Sequence, residues 1–185
     1  MLLGEGNFSF ATNFVKSFTH IDPKKIYATE LRKKEELEEI YSKNFKNNYN
    51  FLLSKGVKIL FEFDACKLST RSDKILFKTI IWNCPFSDPK YNLSSSLICS
   101  FLSASFSQEI GSTFFVRICK VYANCYKIPH LLKYIPYSQQ NLTAEYPHLD
   151  SIVQYNHVKN KEETSNSTFT FELYKFTRIS KQINF

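Results

Sequence analysis

Leu2-Leu3-Gly4-Glu5-Gly6-Asn7-Phe8-Ser9-Phe10 is the stretch on which the reading of this chain turns. An apolar pair runs into two glycines one residue apart, and a candidate helix from Phe10 to Phe18 runs out. Only four glycines occur in 185 residues, so a pair this close marks a constraint on the backbone. A strand that turns sharply into a helix needs positive φ or a missing Cβ, and leaves backbone N–H groups aimed at a ligand. The stretch predicts a nucleotide-type binding loop at the switch point of a parallel α/β sheet. Three residues precede Gly4, so the first strand is either cut short or unusually brief, and no signal peptide precedes the loop.

Working outward, Asp22-Pro23 breaks the first helix, and Lys25–Thr29 reads as a second strand ending at Glu30. A long helix is predicted over Lys33–Ser54, where Leu37, Ile40, Tyr41, Phe45, Tyr49 and Leu52 recur at helical spacing. Glu35, Glu36, Glu38 and Glu39 suit the positive end of its dipole, and Gly56 is a natural stop. Val57–Phe63 reads as a third strand stopping at Asp64. Lys78–Trp82 is a continuous apolar strand of the buried parallel type and ends at Asn83-Cys84-Pro85-Phe86. A helix over Leu93–Glu109 and a fifth strand over Ser112–Cys119 follow.

Strands alternating with helices over more than half the chain predict βαβ units and one mostly parallel twisted sheet. Beyond Lys120 the pattern weakens to a short helix at Ile128–Tyr134 and a strand near Asn141–Ala144. A polar loop spans Lys159–Ser167. Thr168–Phe176 then alternates, with Phe169, Phe171 and Leu173 on one face, as an antiparallel strand at the sheet edge. The whole of residues 1–185 reads as a single domain, without internal repeats.

Composition bounds the partners. Hydrophobic residues make up 43% and aromatics 16%, which is globular, and no apolar run reaches the length of a membrane span. The formal charge of +7 permits an acidic partner such as nucleic acid, and equally fits a solvated lysine-rich surface. Cys66, Cys84, Cys99, Cys119 and Cys125 form no Cys-x-x-Cys pair, which predicts reduced core thiols in an intracellular protein. The four histidines show no zinc spacing, so no metal is expected.

Ligands of open α/β sheets bind beyond the carboxyl ends of the strands, and here those ends carry Gly4-Glu5-Gly6, Glu30, Asp64 and Asn83. An acid after the second strand can accept both hydroxyls of a ribose, and one after the third can take a purine amine. Together they describe a site for an adenosine-containing cofactor. A dinucleotide would want a third glycine where Ser9 stands. S-adenosylmethionine carries no phosphate and tolerates that loss. A fourth strand ending Asn83-x-Pro85-aromatic suits transfer to nitrogen, with an amide oxygen near the acceptor and Phe86 to stack on a flat base. Taken singly, Glu30 is also a helix-terminal charge, Asp64 a turn cap and Asn83-Cys84-Pro85 a turn. Their order at successive strand ends is what carries the functional reading.

The loop Gly4-Glu5-Gly6-Asn7-Phe8-Ser9-Phe10, with Ala28-Thr29-Glu30-Leu31 and Asp64-Ala65, resembles the uridine-N3 ribosomal RNA methyltransferase (BMT5-like) family. The similarity is strong to about Phe86 and looser to Tyr155-Asn156-His157. The resemblance implies a Rossmann-like class I methyltransferase fold, S-adenosylmethionine as donor, and large-subunit ribosomal RNA in a pre-ribosome as substrate. It implies the nucleolus in a eukaryote. By position, Gly4, Glu5, Gly6, Asn7 and Ser9 would line the methionine end of the cofactor. Glu30 would hold the ribose and Asp64 with Ala65 the adenine, while Asn83, Pro85 and Phe86 would meet the acceptor base. The family's turn usually reads Asn-Phe-Pro-His, and here Cys84 and Phe86 replace the Phe and the His. Those departures keep open a second reading, a catalytically degenerate module for RNA binding or ribosome assembly. No dedicated RNA-binding domain is visible, which leaves room for a targeting partner protein.

Overall fold

A computed structural model describes residues 1–70, 75–83, 100–101, 104–119, 137–141 and 171–178. Among these residues seven strands form one sheet. They are β1 (Leu2–Leu3), β2 (Tyr27–Thr29), β3 (Lys58–Leu60), β4 (Thr79–Asn83), β5 (Thr113–Cys119), β6 (Tyr137–Asn141) and β7 (Phe171–Arg178). Their order is β3-β2-β1-β4-β5-β7-β6, parallel from β3 through β5 and antiparallel at β7 and β6. The chain reverses direction across the sheet between β1 and β4, which places a switch point at the end of β1.

The pleat sorts neighbouring side chains onto opposite faces. Leu3, Ile80, Trp82, Phe114, Val116 and Phe176 share one core layer. Leu2 and Ala28 face the other, where Phe10, Ala11 and Val15 of helix α1 (Ser9–Ser17) and Leu37, Phe45 and Leu52 of helix α2 (Lys34–Ser54) cover them. Along α1, Phe10, Phe14 and Phe18 stack at i, i+4 spacing, with centroids 6.2 and 4.6 Å apart.

Helix α2 ends on hydrogen bonds that satisfy its last carbonyls. Val57 N donates to Leu52 O and Gly56 N to Leu53 O, with Gly56 at φ +80°. Leu52 and Val57, both buried, close that turn over apolar contact. Ser42 interrupts the same helix at φ 46°, ψ −122°, and the predicted core residue Ile40 is 51% exposed.

Several boundaries differ from the sequence expectation. Pro23–Lys25 forms a 3-10 turn capped by Asp22 Oδ1 on Lys24 N, so β2 begins later than Lys25. The third strand stops at Leu60 instead of Phe63, because Glu62 takes φ +54° and bends the chain back. Phe63 N then donates to Glu30 O, and Phe61 packs against Phe8, Phe45 and Tyr49. The antiparallel end is as expected, but its outermost strand is β6, and β7 lies inside between β5 and β6. On β7 it is Tyr174 and Phe176 that pack into the core.

Ser100, Phe101 and Ala104 are helical within the predicted Leu93–Glu109 helix. The expectations at 128–134, 142–144, 155–157 and 159–167 lie outside the described residues. No described helix is long and apolar enough to cross a membrane, and no group of metal-ligating residues occurs among the described residues. Cys66 is a free thiol, pushed up to about 11 by burial and the nearby Asp64.

Candidate active site

The end of β1 becomes a loop of alternating left-handed residues: Gly4 at φ +65°, Gly6 at +56° and Phe8 at +60°. Glycine takes the first two without steric cost. A Cβ on Gly4 would lie 3.1 Å from Trp82 Nε1, and one on Gly6 would lie 3.3 Å from Tyr41 Oη. Phe8 tolerates the strained geometry because its ring is fully buried against Phe45 and Phe61, at 5.9 Å from each.

Two carboxylates tie this loop down. Glu5 is 2% exposed and its Oε2 accepts from Ala11 N at 2.8 Å. It satisfies an orphan donor in the first turn of α1, which the N-cap residue Phe8 leaves without a side-chain cap. Glu30 is buried at the end of β2. Its Oε2 accepts from Gly6 N at 2.8 Å and its Oε1 from Arg32 N at 3.3 Å. Glu5 N also donates to Thr29 O at 3.1 Å, carrying the β1–β2 pairing past the strand ends. Burial raises the Glu5 carboxyl to about 8. The Ala11 N–H opposes that rise and the charge of Glu30 adds to it.

These bonds revise one expectation. The N–H groups of Gly6, Ser9 and Ala11 are not aimed at a ligand. They are taken by Glu30, by Asn7 Oδ1 at 3.0 Å and by Glu5. Acidic side chains filling those donors make a poor phosphate cradle and a suitable neighbourhood for a cation. The second oxygen of Glu5 and the Ser9 hydroxyl are buried with no hydrogen-bond partner among the described residues. They are polar atoms of the kind an uncharged or cationic ligand can satisfy.

Asp64 is half-buried at the start of the 3-10 turn Ala65–Thr70. Its Oδ1 accepts from Cys66 N at 2.9 Å and its Oδ2 lies 3.7 Å from Lys67 Nζ, so it caps that turn. It stands on the same edge as Glu30 because Phe63 N is bonded to Glu30 O. Ala65 packs against the core layer that contains Trp82. Asn7 also fixes the loop to α2, its carbonyl accepting from Asn48 Nδ2 at 2.9 Å.

Asn83 is the last residue of β4, beside the Trp82 that packs over Gly4. It is 3% exposed, and its Oδ1 accepts from Arg117 Nη1 at 3.3 Å. Thus Gly4, Glu5, Gly6, Asn7, Ser9, Glu30, Asp64, Ala65 and Asn83 share one edge of the sheet, while Pro85 and Phe86 lie outside the described residues. Tyr41, Trp82 and Arg117 were not foreseen at this edge. Arg117 left a signal, a lone charge within the apolar run Thr113–Cys119.

Comparison with known proteins agrees with this edge. The family model described as BMT5-like, rRNA (uridine-N3-)-methyltransferase, matches residues 1–144. That family is S-adenosylmethionine-dependent. No curated relative matches in sequence. Solved structures share the fold. An rRNA methylase from Streptococcus thermophilus is 11% identical, with 97% of this chain and 87% of that one covered at a TM-score of 0.53. A methyltransferase from Pyrococcus furiosus is 16% identical, covering 97% and 75% at 0.55. A variant of the 16S rRNA (adenine(1408)-N(1))-methyltransferase from Catenulisporales acidiphilia, solved with its cosubstrate SAM, is 10% identical, covering 98% and 86% at 0.53. The arrangement is that of the Rossmann-like class I methyltransferases.

Proposed function

The chain belongs to the BMT5-like rRNA (uridine-N3-)-methyltransferase family, and from that membership we propose that it methylates N3 of a uridine in large-subunit ribosomal RNA. The observation that carries the cofactor assignment is the loop in which Glu5, Asn7 and Glu30 occupy the backbone donors a phosphate would need. S-adenosylmethionine has no phosphate, and when bound supplies a methyl group already activated on a sulfonium cation.

In this reading Gly4, Glu5, Gly6, Asn7 and Ser9 lie along the methionine end. Glu30 takes the ribose hydroxyls, and Asp64 with Ala65 the adenine. Asn83, Pro85 and Phe86 hold the acceptor base. Much of the rate comes from holding the two reactants in line. Uracil N3 is a weak acid whose proton must leave to an acceptor or to water. N3 also lies on the pairing edge, so the base must be unpaired or flipped out, at a cost of a few kcal/mol. An immature or loop RNA meets that requirement at least cost. The proposal takes residues 1–185 as a single domain acting on a pre-ribosome, in the nucleolus of a eukaryote, with target choice aided by a partner protein. Cys84 and Phe86, where the family has Phe and His, favour a second reading, an assembly module that binds RNA without methylating it.

The test is calorimetry with S-adenosylmethionine on the wild type and on Glu30→Ala and Asp64→Ala. Micromolar binding, about −8 kcal/mol, lost in both variants supports the site. A folded wild type that binds no cofactor overturns the enzyme reading and leaves the assembly module.

A further inference from the structure

Asn83 and Arg117 are register partners on the neighbouring parallel strands β4 and β5. Both are buried where the sheet meets the proposed base site, at 3% and 5% exposure. The guanidinium carries N–H donors and no acceptor, so only the oxygen of the Asn83 amide can face it. The bond from Arg117 Nη1 to Asn83 Oδ1 therefore fixes which way round the amide sits. The amide nitrogen is held on the opposite side of the amide plane, and what Asn83 offers a base is an N–H. This reverses the polarity expected from sequence, in which the amide oxygen approached the acceptor nitrogen.

We propose that Arg117 is a positioning residue that sets Asn83 as a hydrogen-bond donor and so selects a base with carbonyl acceptors over one with an exocyclic amine. The inference rests on the methyltransferase reading and sharpens its substrate. Uracil N3 is flanked by two carbonyl oxygens, and a donor at either one presents N3 without competing for it. The amines of cytosine and adenine need an acceptor at that place, and an N–H directed at them leaves two donors facing each other in a buried site. The buried cation behind the amide also polarises the donor and favours negative charge building on the base as the N3 proton leaves. The bond made is N3 to methyl carbon, the bond broken is carbon to sulfur, and the N3 proton departs to water or a nearby base.

The experiment incubates the full chain with unmodified large-subunit ribosomal RNA transcript and methyl-labelled S-adenosylmethionine. Labelled nucleosides are then identified after digestion. Wild type is expected to yield 3-methyluridine. Arg117→Met frees the amide to turn and should lower kcat/KM for RNA about 10- to 100-fold. Cofactor affinity should stay within about twofold, because the residue acts on the base side. Arg117→Lys keeps a cationic donor and should restore part of the loss. Asn83→Asp, which presents only acceptors when ionised, should be at least as impaired as Arg117→Met. Label in N4-methylcytidine or N6-methyladenosine from wild type overturns the inference while the methyltransferase reading stands. Unchanged uridine methylation by a folded Arg117→Met also overturns it. If Arg117→Met does not fold, the wild-type product and the Asn83→Asp rate decide the matter. Failure of wild type to bind cofactor or transfer any label removes the methyltransferase reading itself, and this inference with it.

Discussion

The two halves of the strand-end edge are built from different materials. On the β1–β2 side, Glu5 and Glu30 bond to backbone N–H groups of a loop whose shape two glycines permit. On the β4–β5 side, a side chain holds a side chain, Arg117 on Asn83, 34 residues apart. A loop fixed through its backbone keeps its form under many side-chain changes and fails when its dihedrals are denied. A pair fixed through side chains is open to single substitutions, so base choice can change while the cofactor fold stays intact. The comparison predicts that variants on the first side act on stability and cofactor together. Variants on the second side act on substrate choice.

The largest effect expected on the loop side comes from Glu5. Its carboxyl is raised from 4.5 in the unfolded chain to about 8 in the folded one, chiefly by burial. Above about pH 4.5 the unfolded chain releases this proton while the folded one keeps it, so unfolding is favoured progressively up to about pH 8. Glu5→Gln removes that slope. Wild type and variant should unfold alike near pH 4, and the variant should gain by as much as about 1.4 kcal/mol per pH unit through the window. By pH 9 it should be several kcal/mol ahead. Urea midpoints measured for both proteins across this range check it, and parallel profiles would show that Glu5 ionises freely in the fold.

The glycines give a graded series of smaller effects. Gly4→Ala combines positive-φ strain with a contact 3.1 Å from the indole of Trp82, which is itself packed 4.8 Å from Phe101. Strain and overpacking together should cost about 2–4 kcal/mol. Gly6→Ala meets only the hydroxyl end of Tyr41, which can give way, and should cost about 1–2 kcal/mol. Gly111→Ala, at φ +86° with no atom within 4 Å of its added Cβ, should cost about 1 kcal/mol as a strain-only control. If denaturation gave Gly4→Ala and Gly111→Ala the same cost, the Trp82 contact would carry no weight and the loop would be held by dihedrals alone.

The same contrast explains what the sequence made legible. Glu30 and Asp64 stood out because each follows a strand that its own periodicity declares, and the loop stood out because glycine is scarce here. The early end of β3 did not, since the bend at Glu62 depends on Phe61 docking beneath Phe8, a contact 53 positions away. Strand β6, Tyr137–Asn141, has a polar sequence with no apolar face to repeat, and its pairing with β7 supplies what its own pattern lacks. For that reason β7 was expected at the edge and lies one strand inside it. The Arg117 to Asn83 bond depends on strand register, which a single sequence does not display.

The smallest effect tests how far α2 contributes to holding the loop. Asn48 Nδ2 bonds Asn7 O at 2.9 Å, the one printed side-chain link from α2 to the loop's backbone among the described residues. Both residues retain other means of solvation, because Asn48 is only half-buried, so Asn48→Ala should cost about 0.5–1.5 kcal/mol. Cofactor affinity discriminates more finely than stability here. If the loop is set by Glu5, Glu30 and its own dihedrals, Asn48→Ala should bind S-adenosylmethionine within about twofold of wild type, a difference near 0.4 kcal/mol. A tenfold loss would mean that α2 positions the loop through this bond. The first side of the edge would then share the long-range, side-chain dependence of the second.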